Sequence, residues 1–198
     1  MRRVVVLALL ALVLPMAAFA DGIDLTNKFG TISISNAGIT SKGSELTSFN
    51  GVVAPAGHSL GSVSYSTGAL LTGSIAAGGT FSDVGSSFLV IGKGNYGEPK
   101  GTIFSGAFVG PIDWTLVSTV KSRVTYTLTG EISGELYTGR IVTGTTSQTI
   151  YSTVGQLAGG VGHIQLGSTH LNTPEPGTLG LLGTGLLGIA GTFRRKKS

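Results

Sequence analysis

Cysteine is absent from the 198 residues. That absence removes disulfides, thiolate zinc ligands, thiol nucleophiles and the lipid-bearing cysteine of a bacterial lipoprotein. Charge is also scarce, at 11% of residues against roughly 25% in an ordinary soluble domain. The formal net charge of +4 suggests an acidic partner until its distribution is read. Residues 21–173 carry seven basic and eight acidic side chains, a net of −1 (7 − 8). The excess lies at the ends, in Arg2 and Arg3 and in Arg194, Arg195, Lys196 and Lys197. No basic stripe is left in the middle to hold phosphates, so nucleic acid is excluded as a partner. The three histidines, His58, His163 and His170, form no close pair of metal-ligand spacing, and no acidic calcium-loop motif occurs. No metal site and no cofactor are expected.

What is plentiful is glycine, with 33 residues, and hydrophobic runs at the two ends. Arg2 and Arg3 precede an uncharged apolar run from Val4 to Leu14. As a helix this run is about 16 Å long, too short for a bilayer core of about 30 Å. Pro15 ends it, and Ala18-Phe19-Ala20 offers a small-residue cleavage site before Asp21. This is the pattern of a secretory signal peptide over residues 1–20, with Ala18 and Ala20 read by signal peptidase. At the other end, Thr178 to Phe193 carries no charge and as a helix spans about 24 Å, enough for a thin membrane. Arg194 to Lys197 would hold the distal end in the cytoplasm and place the middle of the chain outside. Gly180, Thr184, Gly188 and Thr192 put small side chains on one stripe of that span, which lets another helix approach closely. Pro174-Glu175-Pro176, just before the span, is held extended because each proline fixes its own φ and disfavours helix in its predecessor. Exposed extended backbone of this kind suits a protease active site.

Thr173-Pro174-Glu175-Pro176-Gly177, a Gly/Leu-rich span and a terminal RRKK, in that order, resemble the PEP-CTERM sorting signal of Gram-negative bacteria. The resemblance covers residues 173–198. It implies recognition and cleavage by exosortase, an integral-membrane cysteine protease, with Pro174, Glu175 and Pro176 as the recognition element. Arg194, Arg195, Lys196 and Lys197 would be the stop-transfer element. Gly177 stands where many relatives carry Ser or Ala. The resemblance further implies transfer to the cell surface and an exopolysaccharide-rich setting. The plain alternative is a resident membrane anchor.

The middle, residues 21–172, reads as sheet. In RVTYTLTGEISGEL, residues 123–136, every even position is apolar or glycine and every odd one polar. That period of two describes a strand with one buried and one wet face. Fully extended it would run about 46 Å, against a usual 17–20 Å, so a bulge or bend is expected at Gly130 or Gly134. The frame G-x-I-x-x-G recurs as GSIAAG, GTIFSG, GRIVTG and GHIQLG without a fixed period, which predicts short strands bounded by glycine turns. The expected fold is all-β, an antiparallel sandwich or barrel-like domain flanked by the signal peptide and the C-terminal transmembrane sorting helix. Wet faces rich in Ser and Thr would suit a carbohydrate matrix, although threonine is also simply a good strand former.

Some segments look catalytic. GHSLG at 57–61 fits the nucleophile elbow G-x-S-x-G around Ser59, and Asp83 or Asp113 with His163 or His170 follow in hydrolase order. The context is wrong, because Pro55 precedes the motif and a Gly/Ser strand pattern follows it instead of a helix. GKGNYG at 92–97 fits a dinucleotide fingerprint, but Pro99 and another strand pattern follow, so a hairpin loop is expected. Glu131 and Glu135 share a strand face at about 13 Å, beyond the span of a glycosidase pair. No catalytic residue is therefore assigned. The leading expectation is an exported, non-enzymatic surface or matrix protein, structural or adhesive, with exopolysaccharide as a partner. The alternatives are a carbohydrate-binding module around Trp114 with Tyr65, Tyr96, Tyr126, Tyr137 and Tyr151, although core or sheet-rim packing is the preferred reading of Trp114 itself, and a secreted hydrolase using Ser59.

Overall fold

The computed structural model describes residues 22–173. The signal peptide, Pro174 to Pro176, the span 178–193 and the basic tail lie outside the described residues. One compact body covers Gly22–Asn172. It opens with β1 (Gly22–Lys28), β2 (Thr31–Ser35), β3 (Gly38–Lys42), β4 (Ser44–Phe49) and the short β5 (Val52–Val53). There follow β6 (Gly61–Ser66), β7 (Leu70–Ser74), β8 (Gly78–Phe81) and β9 (Ser87–Gly92). Three long strands come next, β10 (Gly101–Val120), β11 (Arg123–Leu136) and β12 (Ile141–Thr153). A single turn of helix, α1 (Val154–Ala158), leads into the last strand, β13 (Val161–Asn172).

Eight of these strands close into an antiparallel barrel, in the order β1, β4, β6, β9, β10, β11, β12, β13 and back to β1. Closure removes the open edges that a sheet would otherwise expose to other chains. Two hairpins extend one end: β2–β3 bridges β13 to β6, and β7–β8 pairs with the distal half of β10. At the opposite rim β1 begins and β13 ends, with Gly22 paired directly to Asn172. Both chain ends therefore leave the barrel from adjacent strands.

Alternation of side chains fills the interior. On β11, Val124, Tyr126, Leu128, Gly130 and Ile132 face inward, and their polar neighbours face out. An eight-stranded barrel is just wide enough to be packed by its own side chains, and aromatic rings supply much of that volume here. Trp114 and Tyr126 stack with centroids 4.4 Å apart, while Phe88 meets Tyr65, Phe104 and Phe108 at about 6 Å. Each large side chain so buried contributes about 1.5–3 kcal/mol. The outward positions of β11 are Arg123, Thr125, Thr127, Thr129, Glu131, Ser133 and Glu135, a polar face, while Ile91, Val109 and Ile141 are apolar side chains exposed on β9, β10 and β12.

The interior also holds a polar seam. Asn27 Nδ2 donates to Gln148 Oε1 at 3.0 Å and to Ser44 Oγ at 2.7 Å, and Gln148 Nε2 donates back to Asn27 Oδ1 at 3.3 Å and to Thr146 Oγ1 at 2.9 Å. Thr146 and Thr169 continue it at 2.9 Å. Register explains the meeting. Asn27 and Gln148 lie on β1 and β12, on either side of Gly167 in β13, and a Cβ at Gly167 would overlap both amide oxygens. Glycine here provides room for two side chains to bond across its own strand.

The all-β expectation holds, and barrel rather than sandwich is the form. Two local expectations do not hold. β11 pairs with β12 in unbroken register from Arg123 to Glu135, so neither Gly130 nor Gly134 bends it. Gly130 instead makes space for the ring of Phe108, and Gly134 allows close approach to Gly106. The bend falls on β10 at Gly110, φ 77°, followed by Pro111, where the register with β11 shifts between Val109 and Asp113. Nor does G-x-I-x-x-G mark a common unit: GSIAAG is the β7–β8 turn, GTIFSG and GHIQLG lie within long strands, and GRIVTG spans a turn and the start of β12.

Candidate functional site

The two glycine motifs that look catalytic in sequence are neighbours in space. Gly61 at the start of β6 pairs with Gly92 at the end of β9, so GHSLG and the GKGNYG loop share one rim of the barrel. The Lys93 backbone N–H donates to the Leu60 carbonyl at 2.8 Å, and Lys93 Nζ donates to Ser59 Oγ at 2.6 Å. The His58 and Tyr96 rings lie 5.9 Å apart. Buried Glu98 closes the loop by accepting the backbone N–H groups of Asn95 and Tyr96, each at 2.9 Å. Burial pushes the Glu98 carboxyl pKa up, but the backbone donors outweigh that and hold it below its usual value. GKGNYG is thus a hairpin loop tied by a carboxylate, with β10 following it and no helix to receive a pyrophosphate.

The chemistry at Ser59 follows from the direction of its bond. A serine becomes a nucleophile when a neighbour accepts its proton. Here the nitrogen donates to Ser59 Oγ, and Lys93 is exposed to water, whereas lysines that act as bases are desolvated. The other residues of a hydrolase reading are occupied elsewhere. Asp83 Oδ2 accepts the Gly110 N–H at 2.9 Å and so holds the β10 bend. Asp113 faces outward on β10 opposite Thr129. His163 lies tilted against Tyr151 with ring centroids 5.3 Å apart, and Arg123 sits over the same tyrosine ring at 4.3 Å. His170 Nδ1 lies 2.7 Å from Asp24 Oδ1, and its Nε2 lies 3.0 Å from Asn172 Oδ1. The hydrogen bond to Asp24 raises the His170 pKa, and the Asp24 charge and Asn172 add to it against a smaller opposing effect of desolvation.

The aromatic constellation suggested by sequence does not assemble. Trp114, Tyr65 and Tyr126 are buried inside the barrel. Trp114 Nε1 and Tyr126 Oη are spent on the Ile75 and Ala76 carbonyls at 2.9 and 2.7 Å. They belong to the core because they occupy inward positions of β10 and β11, so Trp114 cannot stack on a sugar. Tyr96 and Tyr137 remain exposed at the rim. Sequence reasoning missed the Lys93–Ser59 bond, the Glu98 clamp and the Asp24–His170–Asn172 chain. The register of β1 against β13 that joins Asp24 to His170 has no local signature.

What the fold defines is a self-contained β-barrel whose interior is full and whose last strand runs directly into a distinct C-terminal segment. Residues 172–196 match the family described as the PEP-CTERM protein-sorting motif. The motif marks an exported protein that undergoes membrane-associated sorting and processing by exosortase. The match begins at Asn172, the final residue of β13. Neither a curated protein nor a solved structure matches the chain.

Proposed function

We propose that this chain is a non-catalytic surface or matrix protein, structural or adhesive, that works in association with exopolysaccharide after both its ends are processed. In this reading residues 1–20 are removed by signal peptidase after Ala18-Phe19-Ala20. Pro174, Glu175 and Pro176 are recognised by exosortase, and Arg194 to Lys197 halt the span 178–193 in the membrane. The observation that carries the reading is the sorting motif joined directly to the last strand of a closed barrel. A barrel of this kind is a body that can be released intact, since the strand pairings of β13 among the described residues end at Asn172. The donor role of Lys93 toward Ser59 favours a non-catalytic role over a hydrolase.

The test is the intact mass of the protein recovered from cells and from the medium, with exopolysaccharide pelleted separately. The reading expects loss of mass at both ends, near Asp21 and near Glu175, and co-sedimentation with the polysaccharide. Retention of Arg194–Lys197 would make the protein a resident membrane anchor. A fully soluble mature barrel that never sediments with polysaccharide would remove the matrix role.

A further inference from the structure

The outer face of β10–β13, near the rim that carries both chain ends, is hollowed twice. One open depression of about 320 Å³ is lined by Val109, Glu131, Ser133, Thr143, Thr145 and Asn172. A second, of about 280 Å³, lies further along β11 and is lined by Thr102, Ser105, Glu135 and Tyr137. Glu131 and Glu135 are outward positions of one strand, about 13 Å apart along it, so each depression has one carboxylate. Both carboxylates are exposed, and among the described residues neither takes part in a hydrogen bond or an ion pair. The Tyr137 ring is 53% exposed. It meets the ring of buried Phe49 in an edge contact at 6.5 Å, and the Tyr137 backbone N–H is fixed to the Ile103 carbonyl at 2.8 Å. The ring is therefore a positioned platform rather than a loose side chain. At the other end, the Asn172 Oδ1 is engaged by His170, which leaves its NH₂ group as the free donor.

We propose that these two depressions form one binding groove for a neutral oligosaccharide, with Tyr137 stacking on a sugar ring and Glu131 and Glu135 accepting hydrogen bonds from paired hydroxyls. Three features select that ligand. Sugar rings offer a C–H face to an aromatic platform and a rim of hydroxyls that both donate and accept. The lining supplies acceptors in the carboxylates, a donor in the Asn172 amide and groups of both kinds in its serine and threonine hydroxyls. A shallow open groove on a sheet face fits an extended chain of rings better than a compact metabolite, which needs enclosure on most sides. The charge decides between classes of polysaccharide. Among the described residues neither depression is lined by lysine or arginine, and two exposed carboxylates repel uronic-acid or sulfated chains. The inference rests on the exopolysaccharide-associated reading and names the class of glycan and the face that meets it.

The test uses the mature protein recovered from the medium, titrated with cellohexaose, mannohexaose and oligogalacturonate of similar length. Binding of at least one neutral hexasaccharide, with none of the acidic one, is expected. Tyr137→Ala and the double variant E131Q/E135Q each weaken that binding at least tenfold, and Tyr137→Phe restores it. All the altered side chains are exposed, so thermal unfolding of the variants should match the parent. If neither neutral chain binds, or oligogalacturonate binds better, the groove is not a neutral-glycan site. Co-sedimentation with native exopolysaccharide is measured in parallel. If it persists in Y137A and E131Q/E135Q, the matrix role stands and the groove assignment falls. If the parent protein itself does not co-sediment, it is the matrix reading that falls.

Discussion

Replacing Gly167 by alanine should cost far more than one methyl group suggests. Its Cβ would occupy the space where Asn27 Oδ1 and Gln148 Oε1 now meet above the strand. Neither side chain can retreat into solvent, because both are buried, with exposures of 1% and 0%. The methyl must therefore separate the amides and break the reciprocal bonds at 3.0 and 3.3 Å. A buried polar group left unpaired costs about 1–3 kcal/mol, and overpacking adds about 1–3 kcal/mol. The expected loss is about 2–6 kcal/mol, which for a domain of this size lowers the melting temperature by on the order of 10 °C. Thermal and urea unfolding of the mature protein measure it. The decisive control is the same substitution in an Asn27→Ala/Gln148→Ala background, where the methyl meets empty space and should cost under about 1 kcal/mol. A drop below about 3 °C in the parent, or an equal drop in both backgrounds, would refute the idea that Gly167 exists to let those amides bond.

The Tyr65 hydroxyl is buried without a hydrogen-bond partner among the described residues, and burial raises its pKa. Tyr65→Phe should therefore raise stability by about 1 kcal/mol, and a fall of that size in denaturant unfolding would show that the hydroxyl is satisfied. Glu98→Gln should loosen the 93–98 loop. Because the Glu98 pKa is lowered on folding, its contribution is present above the ordinary glutamate value and is lost as pH falls through the lower folded value. Amide exchange at Asn95 and Tyr96 should therefore quicken in strong acid in the parent and at neutral pH in the variant. His170 works in the opposite sense. Its pKa is raised, so its contribution is full below the ordinary value of about 6.5 and is lost as pH rises through the folded value. Asp24 is the charged group facing it, with Gly22 packed on its ring and Thr145 beside it on β12. Melting temperature should fall on that rise in the parent, and the fall should vanish in Asp24→Asn. Above the transition a neutral His170 has one N–H, which stays on Asp24. Where Asn172 turns its NH₂ toward Nε2, the proposed groove loses that donor, and titration with a neutral hexasaccharide on either side of the transition should show weaker binding at the higher pH.

The alternation in residues 123–136 was legible because one face of β11 is core and the other solvent, and a two-residue period needs no tertiary knowledge. The bend was not legible, because any of several glycines would permit one. What places it on β10 is Pro111, which lacks a ladder donor, and Asp83, which caps the Gly110 N–H from 27 residues away. Trp114 was legible in part: core packing is the preferred reading of its sequence context, and it is buried. Its neighbours Ile112 and Leu116 share its parity, so the inward face could be inferred, yet only barrel closure decides how deeply that face is covered. The groove was split in sequence for the same reason. Glu131 and Glu135 were visible as one face of a strand, but Thr143, Thr145 and Asn172 join them only through pairings across β12 and β13. Local periodicity reports faces, and register reports neighbours.

Filling the barrel has a consequence for where recognition can occur. Many barrels of this strand number hold a ligand in the lumen. Here stacked Trp114 and Tyr126, the phenylalanine cluster and the Asn27–Gln148 seam occupy it, and the seam would be left unpaired by anything that entered between the amides. A ligand inside would have to displace a core in which each large side chain contributes about 1.5–3 kcal/mol. Binding is therefore confined to the outer faces and rims. On those faces strand pairing fixes hydroxyls and carboxylates at regular spacing, with the Tyr137 ring beside them in the second depression. Such a surface gains little from any one contact and much from repetition. The proposed matrix role would then rest on weak binding by many copies to a polymer of repeating hydroxyls, a mode in which avidity replaces single-site affinity.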